Sequence, residues 1–160
     1  MMAVTTAPGA NFRATYFQDA DLIPIRRKPK NDTLQVLINE CMANSQTVHS
    51  NLDGGANSHL GLVLMPTKYA VIAPGTPYVR PVFPGPLVIP ANTTNVQAQM
   101  LRDQHQEELR LFHKTEAVHN TLVQQLVKAI EPMYLKYRRN PVTQAFMVPF
   151  NEILQHLMQV

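Results

Sequence analysis

The chain has 160 residues, 45% of them hydrophobic, with thirteen prolines, a single cysteine, no tryptophan and a formal net charge of +3. That is enough chain for one domain with a core and a flank. The composition excludes an internal disulfide framework and a thiolate zinc cage supplied by this chain alone, and no apolar run approaches the roughly 18–20 residues needed to cross a bilayer.

The charge is uneven. Residues 1–30 carry Arg13, Arg26, Arg27, Lys28 and Lys30 against Asp19 and Asp21, whereas the rest of the chain balances nine basic against nine acidic side chains. The excess falls on a segment without a sustained apolar period, where Pro24 and Pro29 bracket the basic run. Residues 1–30 therefore read as a flexible basic arm able to meet phosphates, and 31–160 as a folded domain. Met1 to Ala10 has neither the basic start nor the apolar run of a signal peptide. A lone thiol suits a reducing compartment, so the cytoplasm, with nuclear access, is the expected location.

A first helix is signalled by Asn31 or Asp32 as cap, with Leu34, Leu37, Ile38, Cys41, Met42 and Val48 at helical spacing. Asp53-Gly54-Gly55 should stop it in a turn. His59 to Met65 is a compact apolar run that periodicity assigns neither to strand nor to helix. Pro66 then opens a short helix through Ala73. Seven of the thirteen prolines fall between Pro66 and Pro90, which demands extended or polyproline-like backbone after the short helix. Its Tyr78, Val79, Val82, Phe83, Leu87, Val88 and Ile89 mark it as an ordered strap pinned to a helical surface, because a linker would not carry so many large apolar groups.

Thr93 or Thr94 caps the next segment, which runs from Asn95 to about Ile130 with neither Gly nor Pro. Leu101, Leu109, Phe112, Val118, Leu122, Leu126 and Ile130 define its buried side, widened by Val123 and Val127; the polar stretch His113–Glu116 is a candidate bend or break. Pro132 sets a boundary at Glu131, and Asn140-Pro141 is a second break. A last helix presents Phe150, Ile153, Leu154, Leu157 and Met158 at i, i+3, i+4, i+7 and i+8. It closes just before Val160 without a cap, a pattern that suits a piece of something longer. The expected fold is all-α: an irregular bundle with one long or broken central helix, a proline-rich ordered strap and a flexible N-terminal arm.

Chemistry is sparse. Glu116-x-x-His119 places a carboxylate and an imidazole on one helix face, but a bridged dimetal site needs a second such pair, and the chain has none. His105 lies among carboxylates without a partner histidine one turn away. Cys41 falls on the apolar stripe, which predicts a buried, inert thiol. Asp53-Gly54-Gly55 has the glycines of a phosphate loop without its Gly-Lys-Ser/Thr ending. No metal, cofactor, catalytic residue or small-molecule substrate is expected, and the chain does not read as an enzyme. Two basic clusters remain: Arg26, Arg27, Lys28 and Lys30, and Lys136, Arg138 and Arg139 with Tyr134 and Tyr137 near them. Each reads either as solvated surface or as a nucleic-acid contact, with the tyrosines available to stack on bases.

Several strings occur in a telling order: Val48-His49-Ser50-Asn51-Leu52-Asp53-Gly54-Gly55, then His59-Leu60-Gly61-Leu62-Val63-Leu64, Tyr78-Val79-Arg80-Pro81 with Pro84-Gly85, and Leu101-Arg102-Asp103-Gln104-His105 leading to Glu108-Leu109-Arg110-Leu111-Phe112. The succession, covering residues 32–158, resembles the Gag-like (capsid) segment of copia-type LTR retrotransposons. The resemblance implies an all-helical domain that self-associates into a particle around RNA, a homo-oligomer with no membrane partner. It also implies a downstream zinc knuckle, which this chain lacks. Candidate self-association contacts are Phe150, Ile153 and Leu157 on the last helix and the strap, although intramolecular core is the favoured reading of these residues. The rival function is a sequence-independent nucleic-acid-binding module without assembly.

Overall fold

The computed structural model describes residues 13, 16–48 and 57–159. The turn expected at Asp53-Gly54-Gly55, the resembling string over 49–55 and most of the first fifteen residues of the expected arm lie outside the described residues. The fold is helical, with no strand among the described residues: α1 (Asn31–Thr47), α2 (Pro66–Ile72), α3 (Asn95–Ala129) and α4 (Phe150–Met158) are joined by connections that include single 3-10 turns at Leu60–Leu62, Pro132–Tyr134 and Lys136–Arg138.

α1 starts one residue earlier than its sequence suggests. Lys30 is the cap, and the Thr33 hydroxyl accepts the Lys30 N–H at 3.0 Å. Asn31 and Asp32 sit inside the first turn instead, where the Asp32 carboxylate meets the positive end of the helix. The apolar stripe is buried as its spacing requires at Leu34, Leu37, Ile38 and Cys41. The ambiguous run after His59 is one 3-10 turn that buries Leu60, Leu62, Val63 and Leu64. Gly61 in that turn lies under the Tyr78 ring, and a Cβ there would stand 2.0 Å from Tyr78 Cγ. Only glycine allows that approach.

α3 is continuous through His113–Glu116. None of those four residues breaks a helix, and they coincide with a change of packing partner. At about 1.5 Å per residue α3 is about 52 Å long. Thr94 Oγ1 accepts the Gln97 N–H at 3.1 Å, while Gln97 Oε1 accepts the Thr94 N–H at 3.2 Å, a reciprocal cap that fixes its start. The C-terminal half enters the core through Val118, Thr121, Leu122, Gln125, Leu126 and Ala129, where α1 and α4 also meet. Ala98 is the only buried residue among 95–114; Leu101, Leu109 and Phe112 are half-buried.

The strap runs antiparallel to the first half of α3. Arg80 Nη2 meets Glu116 Oε1 at 2.5 Å, Phe83 packs edge-on against Phe112 at 5.5 Å, and His105 Nε2 donates to the Gly85 carbonyl at 2.7 Å. Extended backbone covers Arg80 to Gly85 in about 15 Å, and the helix covers Glu116 to His105 in about 16 Å, so the two stay in register. Three residues per turn sort the strap's side chains. Arg80 and Phe83 face the helix, whereas Val79, Val82 and Val88 point to solvent. The expectation that all the strap's apolar groups pin it down is therefore corrected: these three valines do not.

A second correction concerns the N-terminal segment. Among the described residues, Arg13 and Phe17 are already buried, well before residue 31. Phe17 and Leu22 are in the core, and Ile25 bridges to Ile130 with its N–H donating to the Ala129 carbonyl at 2.7 Å. The anchors at positions 17, 22 and 25 follow neither helical nor strand spacing, so they leave no period to detect.

Candidate functional site

The basic residues expected to meet nucleic acid are gathered near the C-terminal end of α3. Because Ile25 pairs with Ile130, the run Arg26-Arg27-Lys28 leaves beside the segment that leads into the two 3-10 turns holding Lys136, Arg138 and Arg139. Cations collect where the unpaired carbonyls of a long helix present partial negative charge.

The clusters differ in what surrounds them. Lys136 and Tyr137 are exposed, with the Lys136 ammonium 5.1 Å from the Tyr137 ring centroid. Arg138 is half-buried. Arg139 serves the local structure, since its guanidinium covers the Phe146 ring at 4.4 Å and donates to the Gln144 carbonyl at 3.0 Å, closing the loop around Asn140. Arg26, Arg27, Lys28 and Lys30 are all exposed and line a groove of about 560 Å³. Ile23 from the same segment and Thr33, Val36, Leu37 and Glu40 from α1 complete its lining. Glu40 Oε1 faces the Ile23 N–H at 3.4 Å, and burial raises its carboxyl pKa above the ordinary value.

Phe150, Ile153 and Leu157 are not surface contacts. They are 0%, 0% and 1% exposed, wedged between α1 and α3, so of their two readings the structure selects the core. The reason is geometric. α4 is amphipathic, and the chain after Pro149 returns its apolar stripe to the bundle.

No protein-family model, curated protein or solved structure matches this chain. Its chemistry lies in its own side chains. Among the described residues, no three of His, Cys, Asp and Glu come together as a metal cage would require. The Glu116–His119 pair is split between two separate contacts. Glu116 takes Arg80, and His119 Nε2 accepts the Phe150 N–H at 3.1 Å where α4 begins. Burial, then the nearby Arg80 charge, holds the His119 pKa below its ordinary value. Cys41 is fully buried, and burial, with Glu40 and Asp19 adding, pushes its thiol far above the range in which thiolates form. No described helix is long and apolar enough to cross a membrane.

Sequence reading named the strap as a candidate contact but missed the outward apolar residues of α3 and of the groove beside the basic run. Val96 and Met100 on α3, Val82 and Val88 on the strap, and Ile23 and Val36 beside the basic run are all exposed. Their spacing resembles that of core residues, and nothing in the sequence says that the partner face is absent.

Proposed function

We propose that this chain is a structural, self-associating domain of the Gag-like capsid type that encloses RNA in a cytoplasmic particle. The observation carrying the reading is the apolar surface left outside the fold: Val79, Val82 and Val88 on the outer side of the strap, and Val96 and Met100 on the side of α3 away from it, are 65–79% exposed. Large apolar groups left exposed in numbers mark candidate interaction surfaces. A shell assembles from modest contacts repeated by symmetry, with no reactive constellation required. The cations at the end of α3 supply the electrostatic attraction to RNA.

Light scattering on size-separated protein over a hundredfold concentration range tests the reading. Mass rising with concentration supports it. A monomer at every concentration whose RNA affinity falls steeply with salt would replace it with a simple nucleic-acid-binding module.

A further inference from the structure

The groove between residues 23–30 and α1 combines aliphatic with cationic lining. Ile23 and Val36 are 61% and 47% exposed within it, above the buried Leu37. Arg26, Arg27, Lys28 and Lys30 line it with them, and Glu40 is its acidic member. Its lining offers no aromatic ring for base stacking, and the aliphatic Ile23, Val36 and Leu37 give a phosphate chain nothing to bind. That chemistry suits an amphipathic segment with acidic and aliphatic side chains on one face.

The chain itself presents such a face. Val96, Met100, Asp103 and Glu107 follow at i, i+4, i+7 and i+11 on α3, a spacing that confines them to one narrow stripe. All four are exposed, Val96 at 73% and Met100 at 65%. The strap cannot cover them, because it binds the opposite side of α3 through His105, Phe112 and Glu116. Asp103 accepts from Gln99 (2.9 Å), and Glu107 from Arg110 one turn along (2.6 Å). Both are exposed local pairs of the kind worth little and readily exchanged.

Building on the self-association reading, we infer that the Val96–Met100–Asp103–Glu107 stripe of one copy docks in the Ile23–Val36 groove of a second copy. Aliphatic groups meet aliphatic groups, and the two carboxylates meet the Arg26–Lys30 cations. Ile25 fixes the groove beside Ala129, so about 33–39 Å of helix separates it from Asp103 and Glu107. One molecule cannot satisfy its own pair. The contact is head-to-tail, and such contacts extend into rings or filaments and do not stop at dimers.

The test uses two charge-reversed variants of the full chain, free of nucleic acid and checked for helicity by circular dichroism. R26E/R27E/K28E loses the groove and keeps the stripe; D103K/E107K loses the stripe and keeps the groove. Each alone should stay monomeric where wild type grows. Mixed, they should grow as an alternating 1:1 copolymer, because each variant's stripe then meets a groove of opposite charge, and both sets in one chain should restore growth for the same reason. Association of both variants at wild-type concentrations overturns the inference and leaves the self-association reading standing. So does a groove variant that loses only RNA binding, which would make the groove a nucleic-acid site. A wild type that never associates overturns both.

Discussion

Asn44 Nδ2 lies 3.1 Å from Gln125 Oε1, across 81 positions of sequence, at the place where α1 faces α3. Both side chains are buried and both turn toward the N-terminal segment: Asn44 brackets Asp19 by accepting its N–H at 2.7 Å and donating to its carbonyl at 2.9 Å, while Gln125 donates to the carbonyls of Asp19 and Ala20 at 2.9 and 2.8 Å. Two amides thus satisfy the irregular, half-buried backbone at Asp19 and Ala20. They hold in place the segment that carries the basic groove. Asn44→Ala or Gln125→Ala should cost about 1–3 kcal/mol, the penalty of orphaned buried groups. The double variant should cost less than the sum, because the partners are shared. Denaturant titration measures both effects, and strictly additive losses would mean that the amides act separately.

Leu126 has no exposed surface and sits where α3 meets the other helices. Leu126→Asp places an unpaired charge there and should cost roughly 5 kcal/mol or more, which reaches the whole stability of a marginal domain. Circular dichroism at 25 °C should show loss of helix; retained helicity with a cooperative melt would mean that this face of α3 is not core.

Gly61→Ala should displace Tyr78 and loosen the start of the strap, since the new Cβ would overlap the ring. Overpacking of this kind costs about 1–3 kcal/mol. Adding Tyr78→Ala should remove most of the clash, so the pair should be closer to Tyr78→Ala alone than to the sum of the two. Limited proteolysis within 74–90 reads the loosening directly.

His119 makes stability depend on acid. Its Nε2 must stay unprotonated to accept the Phe150 N–H, and its folded pKa is lowered from 6.5 by burial and by Arg80, with Asn120 and Glu116 opposing. The unfolded chain therefore takes up the proton first. The contribution is complete above pH 6.5 and is lost as pH falls from there toward the folded value. Melting temperature should drop more steeply below pH 6.5 in wild type than in His119→Gln, which keeps an acceptor but does not titrate. Parallel slopes would place the acid sensitivity elsewhere.

Lys136, Tyr137 and Arg138 form the basic surface least occupied by packing within the C-terminal cluster. Lys136→Ala with Arg138→Ala should weaken RNA binding and reduce the salt slope of log affinity by about 1.4, the value for two phosphates of a single strand. Tyr137→Ala should lower affinity with little change in that slope, since stacking releases no counterions. Filter binding at four or more salt concentrations separates the two; an unchanged slope in the double alanine variant would remove this cluster from the RNA contact.

Where hydrogen bonds and periods are local, the sequence was a sufficient guide. The absence of Gly and Pro over 95–130, Thr94 three residues before Gln97, and the apolar stripes of α1 and α4 fix those helices, because capping, propensity and amphipathic spacing act within a few residues. The strap too is written in its prolines, which permit no other backbone.

Tertiary structure decided which apolar face finds a partner. Phe150, Ile153 and Leu157 pass into the core and Val96 and Met100 stay outside, although both sets have helical spacing, because burial depends on what the fold brings opposite each face. The same holds for the segment from Phe17 to Lys30: no local period specifies its place, and it is held by Asn44 and Gln125, amides whose partners lie 25 and more than 100 residues away. A sequence states what each residue can offer. Only the folded chain determines whether anything accepts it.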